Sequence, residues 1–334
     1  MERDEEKKVV LKGEQVRKYF PVHTGLGKAK KYVKAVDGVD ISIYEGEIYG
    51  LVGETGCGKS TLGRTLIRLT DPTEGKIEVL GQDITKMRDS ELVKMRQKIQ
   101  MVFQDPYTSL DPKQKVGEIL MEALKIHGIG TREERMDIAM EIMGKVGLRP
   151  EHFYRYPHEF SGGQRQRVGL ARALILNPKI IICDEPVSAL DVSIQAQIIN
   201  LLQDLREKDN ISFLFIAHDM SVVKYVSDRV GVMYLGHLME EAETEELFRN
   251  TLHPYAQALL SAVPNPDPHV KKERIVLNGD LPSPMNPPSG CVFHTRCPYA
   301  TEECSLRTPV MHEVTPGHRV ACLRFEGAAG AAAD

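Results

Sequence analysis

Apolar residues recur at two different spacings along this chain, and the switch between them outlines the fold. Val9 to Phe20 reads as a first strand, and Val36 to Ile43 alternates apolar and polar residues as a half-buried strand does. Ile48 to Val52 and Thr73 to Leu80 add two more. Residues 21–34 between the first pair are basic and turn-rich and predict an exposed loop. Ile99 to Phe103 is strand-like and ends at the polar turn Gln104-Asp105-Pro106. From Val116 to Val146 the spacing becomes three to four residues, as in Ile119, Leu120, Ala123 and Leu124, which predicts helix. Gly128-Ile129-Gly130-Thr131 splits that stretch in two. A further helix is predicted over Arg165 to Leu176, closed by Asn177-Pro178.

Ile180 to Cys183 and Ser212 to Ala217 are short apolar runs without a polar face, typical of parallel strands covered on both sides. A helix running to Leu205 separates them. A helix from Ser221 to Val226 and two short strands over Arg229 to Leu238 follow. Strand–helix alternation predicts an α/β domain with a parallel sheet, interrupted by a helical insert at about 106–170. After Leu260 the pattern breaks down. Seven prolines fall between Pro264 and Pro288, which places a domain boundary near 262 and predicts an irregular second domain over 263–334. The Gly-Ala end is expected to be disordered.

The strand Ile48–Val52 runs into Gly53-Glu54-Thr55-Gly56-Cys57-Gly58-Lys59-Ser60-Thr61, which fits the P-loop pattern. Glycines at 53, 56 and 58 let the backbone turn tightly and aim successive N–H groups at phosphate oxygens. The helix from Ser60 to about Leu69 adds the positive end of its dipole. Lys59 is placed to reach the β/γ-phosphates and Ser60 to ligate Mg²⁺. Four fixed positions match by accident in a chain this long only about one per cent of the time. Nucleotide binding therefore outweighs a chance glycine-rich turn.

Two other stretches carry chemistry. Asp184-Glu185 ends a buried strand, where α/β folds bind ligands. Asp184 is expected to hold Mg²⁺ through water and Glu185 to orient the attacking water. Alone, the pair is more often a mere strand end. Ser161-Gly162-Gly163-Gln164 opens a helix with a capping serine and free N–H groups, a second anion site by dipole logic, although an isolated sequence of this kind is usually only a flexible cap.

Composition narrows the setting. The net charge of −4 gives no reason to expect nucleic acid or an anionic membrane as partner. The acidic start of the chain has no secretory apolar segment, and no apolar stretch approaches 18 residues, which predicts a cytosolic protein. Of six cysteines, four crowd into the last 44 residues as Cys291-x5-Cys297-x6-Cys304-x17-Cys322. In a reducing compartment that grouping points to a metal centre rather than disulfides, with spacings wider than structural zinc sites use and free thiols as the plain alternative.

Gly53 to Ser60, Gln104, Phe160 to Gln164, Ile180 to Glu185, Ser188-Ala189-Leu190-Asp191 and His218 fall in the order seen in ABC transporter ATPase subunits, which the chain resembles over about residues 9–260. The signature stretch starts with Phe160 where the family usually has Leu. The resemblance implies a P-loop NTPase with a RecA-like core, an antiparallel β subdomain and a helical insert. It further implies head-to-tail pairing with a second such ATPase, identical or homologous. ATP lies between one subunit's P-loop and the other's Ser161, Gly162, Gly163 and Gln164. Lys59, Gln104, Glu185 and His218 are the implied catalytic set, Ser60, Gln104 and Asp184 the Mg²⁺ set, and Phe20 (with Tyr19 beside it) the adenine-stacking ring.

His253-Pro254-Tyr255, Gly279 to Pro284 and Pro287 to Pro298 look like the tail of dipeptide/oligopeptide importer ATPases, and Glu185 to Gln197 resembles the F-type subunit. Some members carry a [4Fe–4S] cluster in this tail. The resemblance thus favours Cys291, Cys297, Cys304 and Cys322 as cluster ligands over a Zn²⁺ site. It also implies two membrane permeases as partners, an extracytoplasmic binding protein acting indirectly, and a place at the cytoplasmic face of the membrane. Nickel-chelate and glutathione importers share the tail. Soluble ABC ATPases of DNA repair or translation form the opposed class, and they typically show a coiled-coil insert or a second cassette that this chain lacks.

Overall fold

A computed structural model describes residues 8–22, 31–105, 109–188, 190–263 and 274–327. Most of the predicted basic loop (23–30), Pro106, Ala189, the prolines at 264, 266 and 268 and the Gly-Ala end (328–334) lie outside those residues. The chain forms two compact units. One holds the start of the first strand to Leu11, Ile43–Glu47 and Val79–Ile216; the other holds Lys12–Ser42, Ile48–Glu78 and the chain from Ala217 onward.

In the second unit, β1 (Val9–Val22), β2 (Lys31–Tyr44) and β4 (Glu74–Val79) are sheet neighbours in the order β2-β1-β4. The first two strands run further than their hydrophobic pattern, into the expected loop. β3 (Ile48–Val52) is buried throughout and leads to α1 (Lys59–Leu66). β3 pairs in parallel with β9 (Arg229–Tyr234), with Tyr49 opposite Arg229 and Val52 opposite Val232. β10 (His237–Glu243) returns antiparallel to β9. It then pairs with β12 (His318–Val320), which pairs with β11 (His312–Thr315).

In the first unit, β5 is the two-residue strand Gln82–Asp83 and α2 spans Asp89–Arg96. β6 (Ile99–Val102), β7 (Ile180–Asp184) and β8 (Ser212–Ile216) form a parallel run, Ile99 opposite Ile180 and Ile180 opposite Ser212. All five residues of β7 are buried, as a strand covered on both faces requires. The helical insert contains α3 (Val116–Ile126) and α4 (Arg132–Lys145). Gly128 and Gly130, at φ 66° and 62°, make the break. Thr131 caps α4 by a capping box with Glu134. α5 (Gly162–Leu174) and α6 (Val192–Asp209) complete this unit, and Asn210 at φ 51° stops α6.

Further α-helices among the described residues are α7 (Met220–Val226), α8 (Thr244–Arg249), α9 (Pro254–Ser261) and α10 (Glu302–Leu306). The proline-rich tail has a core that its sequence does not advertise. Phe293 is fully buried, with its ring centroid 5.2 Å from that of Tyr234 and 5.4 Å from that of Tyr255.

β10 carries a buried carboxylate, and its partners make β12 part of the structure. Glu240 accepts hydrogen bonds from the backbone N–H groups of Leu252 and His253, each at 2.8 Å, and lies 2.8 Å from His318 Nε2. Glu246 approaches the other ring nitrogen at 3.4 Å. Burial disfavours a charged His318, but hydrogen bonding to Glu240 and Glu246 wins and holds its pKa above the usual 6.5. A histidine with a raised native pKa binds its proton more tightly folded than unfolded. Its stabilising contribution is therefore complete below pH 6.5 and is lost as pH climbs through the raised value. Denaturant midpoints taken between pH 5.5 and 8.5 check this: the advantage of the native chain over His318→Gln shrinks with rising pH.

Candidate active site

Three glycines give the P-loop its shape, each for a separate reason. Gly53 sits at φ 153°, and a Cβ there would lie 2.1 Å from the carbonyl oxygen of Met233. Gly58, at φ 108°, would bring a Cβ to 2.0 Å from the carbonyl oxygen of Ala35. Side chains are excluded at both by backbone pressing from behind. Gly56 needs its φ of 83° but meets nothing within 4 Å, so its outer face is open. Gly58 also serves as N-cap of α1. The loop is thus a tightly turned run of backbone with closely packed glycines at 53 and 58, followed by a helix N-terminus, the kind of arrangement that binds phosphate.

Lys59 is almost wholly buried and donates from Nζ to the carbonyl oxygens of Gly53 at 2.7 Å and Glu54 at 3.1 Å. Cys57 packs inside the loop, and burial pushes its thiol pKa up, so it behaves as an apolar filler. Ser60 and Thr61 open α1 behind Lys59, and Thr55 is exposed at the tip of the loop. The two candidate aromatics differ. Tyr19 is engaged, its hydroxyl donating to Asp37 and the Lys34 ammonium over its ring. Phe20 is exposed, with the Lys18 Nζ 5.0 Å from its ring centroid.

The first unit holds the carboxylates. Asp184 ends β7 completely buried. Glu185 follows in the left-handed region at φ 46°, a conformation non-glycine residues adopt at a cost, and its N–H donates to Ile216 O at 3.0 Å. That turn aims its carboxylate at Gln104, whose amide donates to Glu185 Oε2 at 2.9 Å. Two residues 81 positions apart, both named from sequence, are thereby brought together. His218 lies exposed two residues past the end of β8.

Ser161 caps α5, exchanging hydrogen bonds with Gln164: Ser161 N–H to Gln164 Oε1 at 3.0 Å and Gln164 N–H to Ser161 Oγ at 3.4 Å. Gly162 is half-buried against Leu190, and a Cβ on Gly163 would lie 2.5 Å from Ile194 Cγ2 of α6. The second glycine is therefore required by helix packing, a reason separate from anion binding.

Sequence reasoning passed over the residues that brace the P-loop. Tyr255 Oη accepts from Glu54 N–H at 2.8 Å, and Gly236 N–H donates to Cys57 O at 2.8 Å. Gly236 sits in none of the named motifs, and Tyr255 belongs to the His253-Pro254-Tyr255 stretch, which gave no sign of a contact with the P-loop.

The tail cysteines do not form the expected metal site among the described residues. Burial raises the Cys291 thiol to about 11, and the charges of Cys304, Cys322 and Cys297 act in the same direction. All four are free thiols within electrostatic reach of one another. Among the described residues, however, no group of three or more His, Cys, Asp or Glu side chains is arranged to hold a metal ion. The donor chemistry fits a cationic centre; the geometry is not that of a formed one.

Residues 36–188 match the ABC transporter family, and residues 239–304 match the oligopeptide/dipeptide transporter C-terminal region. The chain is 56% identical over 317 residues to the oligopeptide transport ATP-binding protein AppF of Bacillus subtilis, covering 94% of this chain and 96% of AppF. This chain belongs to the ABC transporter ATP-binding proteins of the oligopeptide/dipeptide type. It is also 52% identical over 328 residues to the oligopeptide transport ATP-binding protein OppF of Salmonella typhimurium, covering 96% and 98% of the two chains. Among solved structures, an ABC cassette, MJ0796, in a dimeric post-hydrolysis state bound to ADP and Pi matches with TM-score 0.63 and 32% identity. That match covers 70% of this chain and 98% of the cassette. A nucleotide-free cassette from an ABC transporter matches with TM-score 0.62, 30% identity and 75% and 98% coverage. The α/β P-loop reading of the sequence and its family resemblance are borne out.

Proposed function

We propose that this chain is the ATP-hydrolysing subunit of an importer that carries dipeptides or oligopeptides across the cytoplasmic membrane. The observation that carries the reading is the P-loop cradle, in which Gly53 and Gly58 have no space for a side chain and the face at Gly56 is open. The relatives named above are oligopeptide transport proteins, which supports the substrate class over nickel chelates or glutathione. The imported molecule does not touch this chain in such an assembly, so discrimination among substrates belongs to the permeases and the extracytoplasmic binding protein.

In this reading two ATPase subunits, alike or homologous, pack head to tail on two permeases at the cytoplasmic face. Among the described residues no helix is long and apolar enough to cross a membrane. The P-loop N–H groups and Lys59 hold the phosphates while Phe20 stacks on adenine. Ser161 and the backbone of Gly162 and Gly163 cap the γ-phosphate bound to the opposite subunit, with Gln164 fixing the serine. Ser60, Gln104 and, through water, Asp184 would hold Mg²⁺, which would supply neutralising charge to the phosphates. Glu185 orients the attacking water, positioned by Gln104, and His218 approaches the γ-phosphate. Catalysis of this kind is mostly positioning and electrostatics.

The full chain, expressed with its membrane partners and purified through a tag on the ATPase, tests the reading. Integral membrane proteins co-purify and ATP is hydrolysed. Recovery instead with nucleic acid or ribosomes, and with no membrane protein, overturns it in favour of a soluble ABC ATPase.

The tail thiols are proposed as the ligands of a [4Fe–4S] cluster, with Zn²⁺ as the competing occupant. Burial raises the thiols of Cys291, Cys297 and Cys322, with the neighbouring cysteines acting in the same direction, so a strongly cationic centre is what would draw off their protons. An anaerobic preparation analysed for iron, sulfide and zinc decides the matter: about four irons per chain for the cluster, about one zinc for the alternative, and neither for free thiols.

A further inference from the structure

We propose that Arg296, in the C-terminal region, is a positioning residue for the phosphate-binding loop, acting through Glu54. The inference rests on the nucleotide-binding reading of that loop. Glu54 occupies the first variable place after Gly53, and all of its polar groups are engaged. Its N–H donates to Tyr255 Oη at 2.8 Å. Its carbonyl oxygen receives Lys59 Nζ at 3.1 Å. Its carboxylate takes both arms of the Arg296 guanidinium, at 2.8 and 3.1 Å.

Arg296 is itself fixed. Its side chain is only 9% exposed, and its N–H donates to Phe293 O at 3.0 Å within the turn between Cys291 and Cys297. Phe293, fully buried, packs on Tyr255, the residue that holds the Glu54 N–H. One turn of the tail therefore braces one residue of the P-loop twice, through Arg296 directly and through Phe293 and Tyr255.

The physical consequence has two parts. A carboxylate beside a polyphosphate site repels the ligand unless a cation neutralises it, and the Arg296 fork does so while fixing its direction. The Glu54 carbonyl is also one of the two oxygens that hold Lys59, so displacing Glu54 displaces the ammonium aimed at the phosphates. The ion pair spans 242 positions, far beyond any motif. Lysine would keep the charge and lose the fork.

A double-mutant cycle on the full-length chain tests this, read by equilibrium binding of ATP with a fluorescent ATP analogue as tracer and by the ATP dependence of hydrolysis. Arg296→Ala is expected to raise the ATP dissociation constant and KM roughly 10- to 100-fold with kcat changed much less. In the Glu54→Gln background the same substitution is expected to cost about threefold or less, because the carboxylate it serves is gone. Arg296→Lys falls between the native chain and Arg296→Ala, and it supplies the same cycle if the alanine variant does not fold. A purely structural arginine predicts equal costs in both backgrounds, and that result, or no change in either, overturns the inference. A native chain that binds no ATP overturns the nucleotide reading itself.

Discussion

Glu185→Gln leaves ATP binding intact and lowers steady-state hydrolysis by about two to four orders of magnitude, the loss usual when a positioned acid–base group is removed. The substitution conserves shape, and glutamine still accepts a hydrogen bond from the Gln104 amide, which contacts Glu185 Oε2 at 2.9 Å. What disappears is the negative charge that, in the proposed mechanism, orients and polarises water. The strained backbone at φ 46° stays as it is, because glutamine has the same backbone demands as glutamate. Phosphate release and equilibrium nucleotide binding, measured on one preparation, separate the effects. Hydrolysis at the native rate sinks the assignment, and lost binding means that Glu185 has a structural role instead.

Gly58→Ala abolishes nucleotide binding, a loss of at least about 100-fold, whereas Gly56→Ala keeps the fold at a cost of about 1–2 kcal/mol in left-handed backbone strain. The difference arises behind the loop. A methyl at position 58 would press to 2.0 Å from Ala35 O, with Met233 Cε at 3.0 Å as a further obstacle, and the obstructing carbonyl belongs to a sheet strand that cannot swing away. At position 56 the methyl meets nothing within 4 Å. Melting temperatures with and without ATP distinguish the two variants. A Gly58→Ala protein stabilised by ATP as well as the native chain would show that the close approach to Ala35 is not what shapes the loop.

The strands buried on both faces were legible because their signal is local: Ile180 to Cys183 offers no polar face, and β7 is buried throughout. α2 went unread because it buries only Leu92 and Met95, too few for a stripe. β11 and β12 are four and three residues long, too short for alternation to register, and they are strands because β10 supplies the hydrogen-bonding edge. The site shows the same division. Ser161 and Gln164 form a box within four residues, while the demand on Gly163 comes from Ile194 of another helix.

By itself the sequence determines the glycine loop ahead of α1, the capped α5 helix, the carboxylates closing β7 and the order of motifs that marks the family. Each is encoded within a few residues, by glycine's conformational freedom, by capping chemistry or by an unbroken apolar run. Only the tertiary structure decides what lies behind those motifs: Ala35 and Met233 against the loop, Glu240 paired with His318, and Arg296 reaching Glu54 across 242 positions. Those contacts depend on close packing and on satisfying buried charge, and both are set by where distant segments meet rather than by any local pattern.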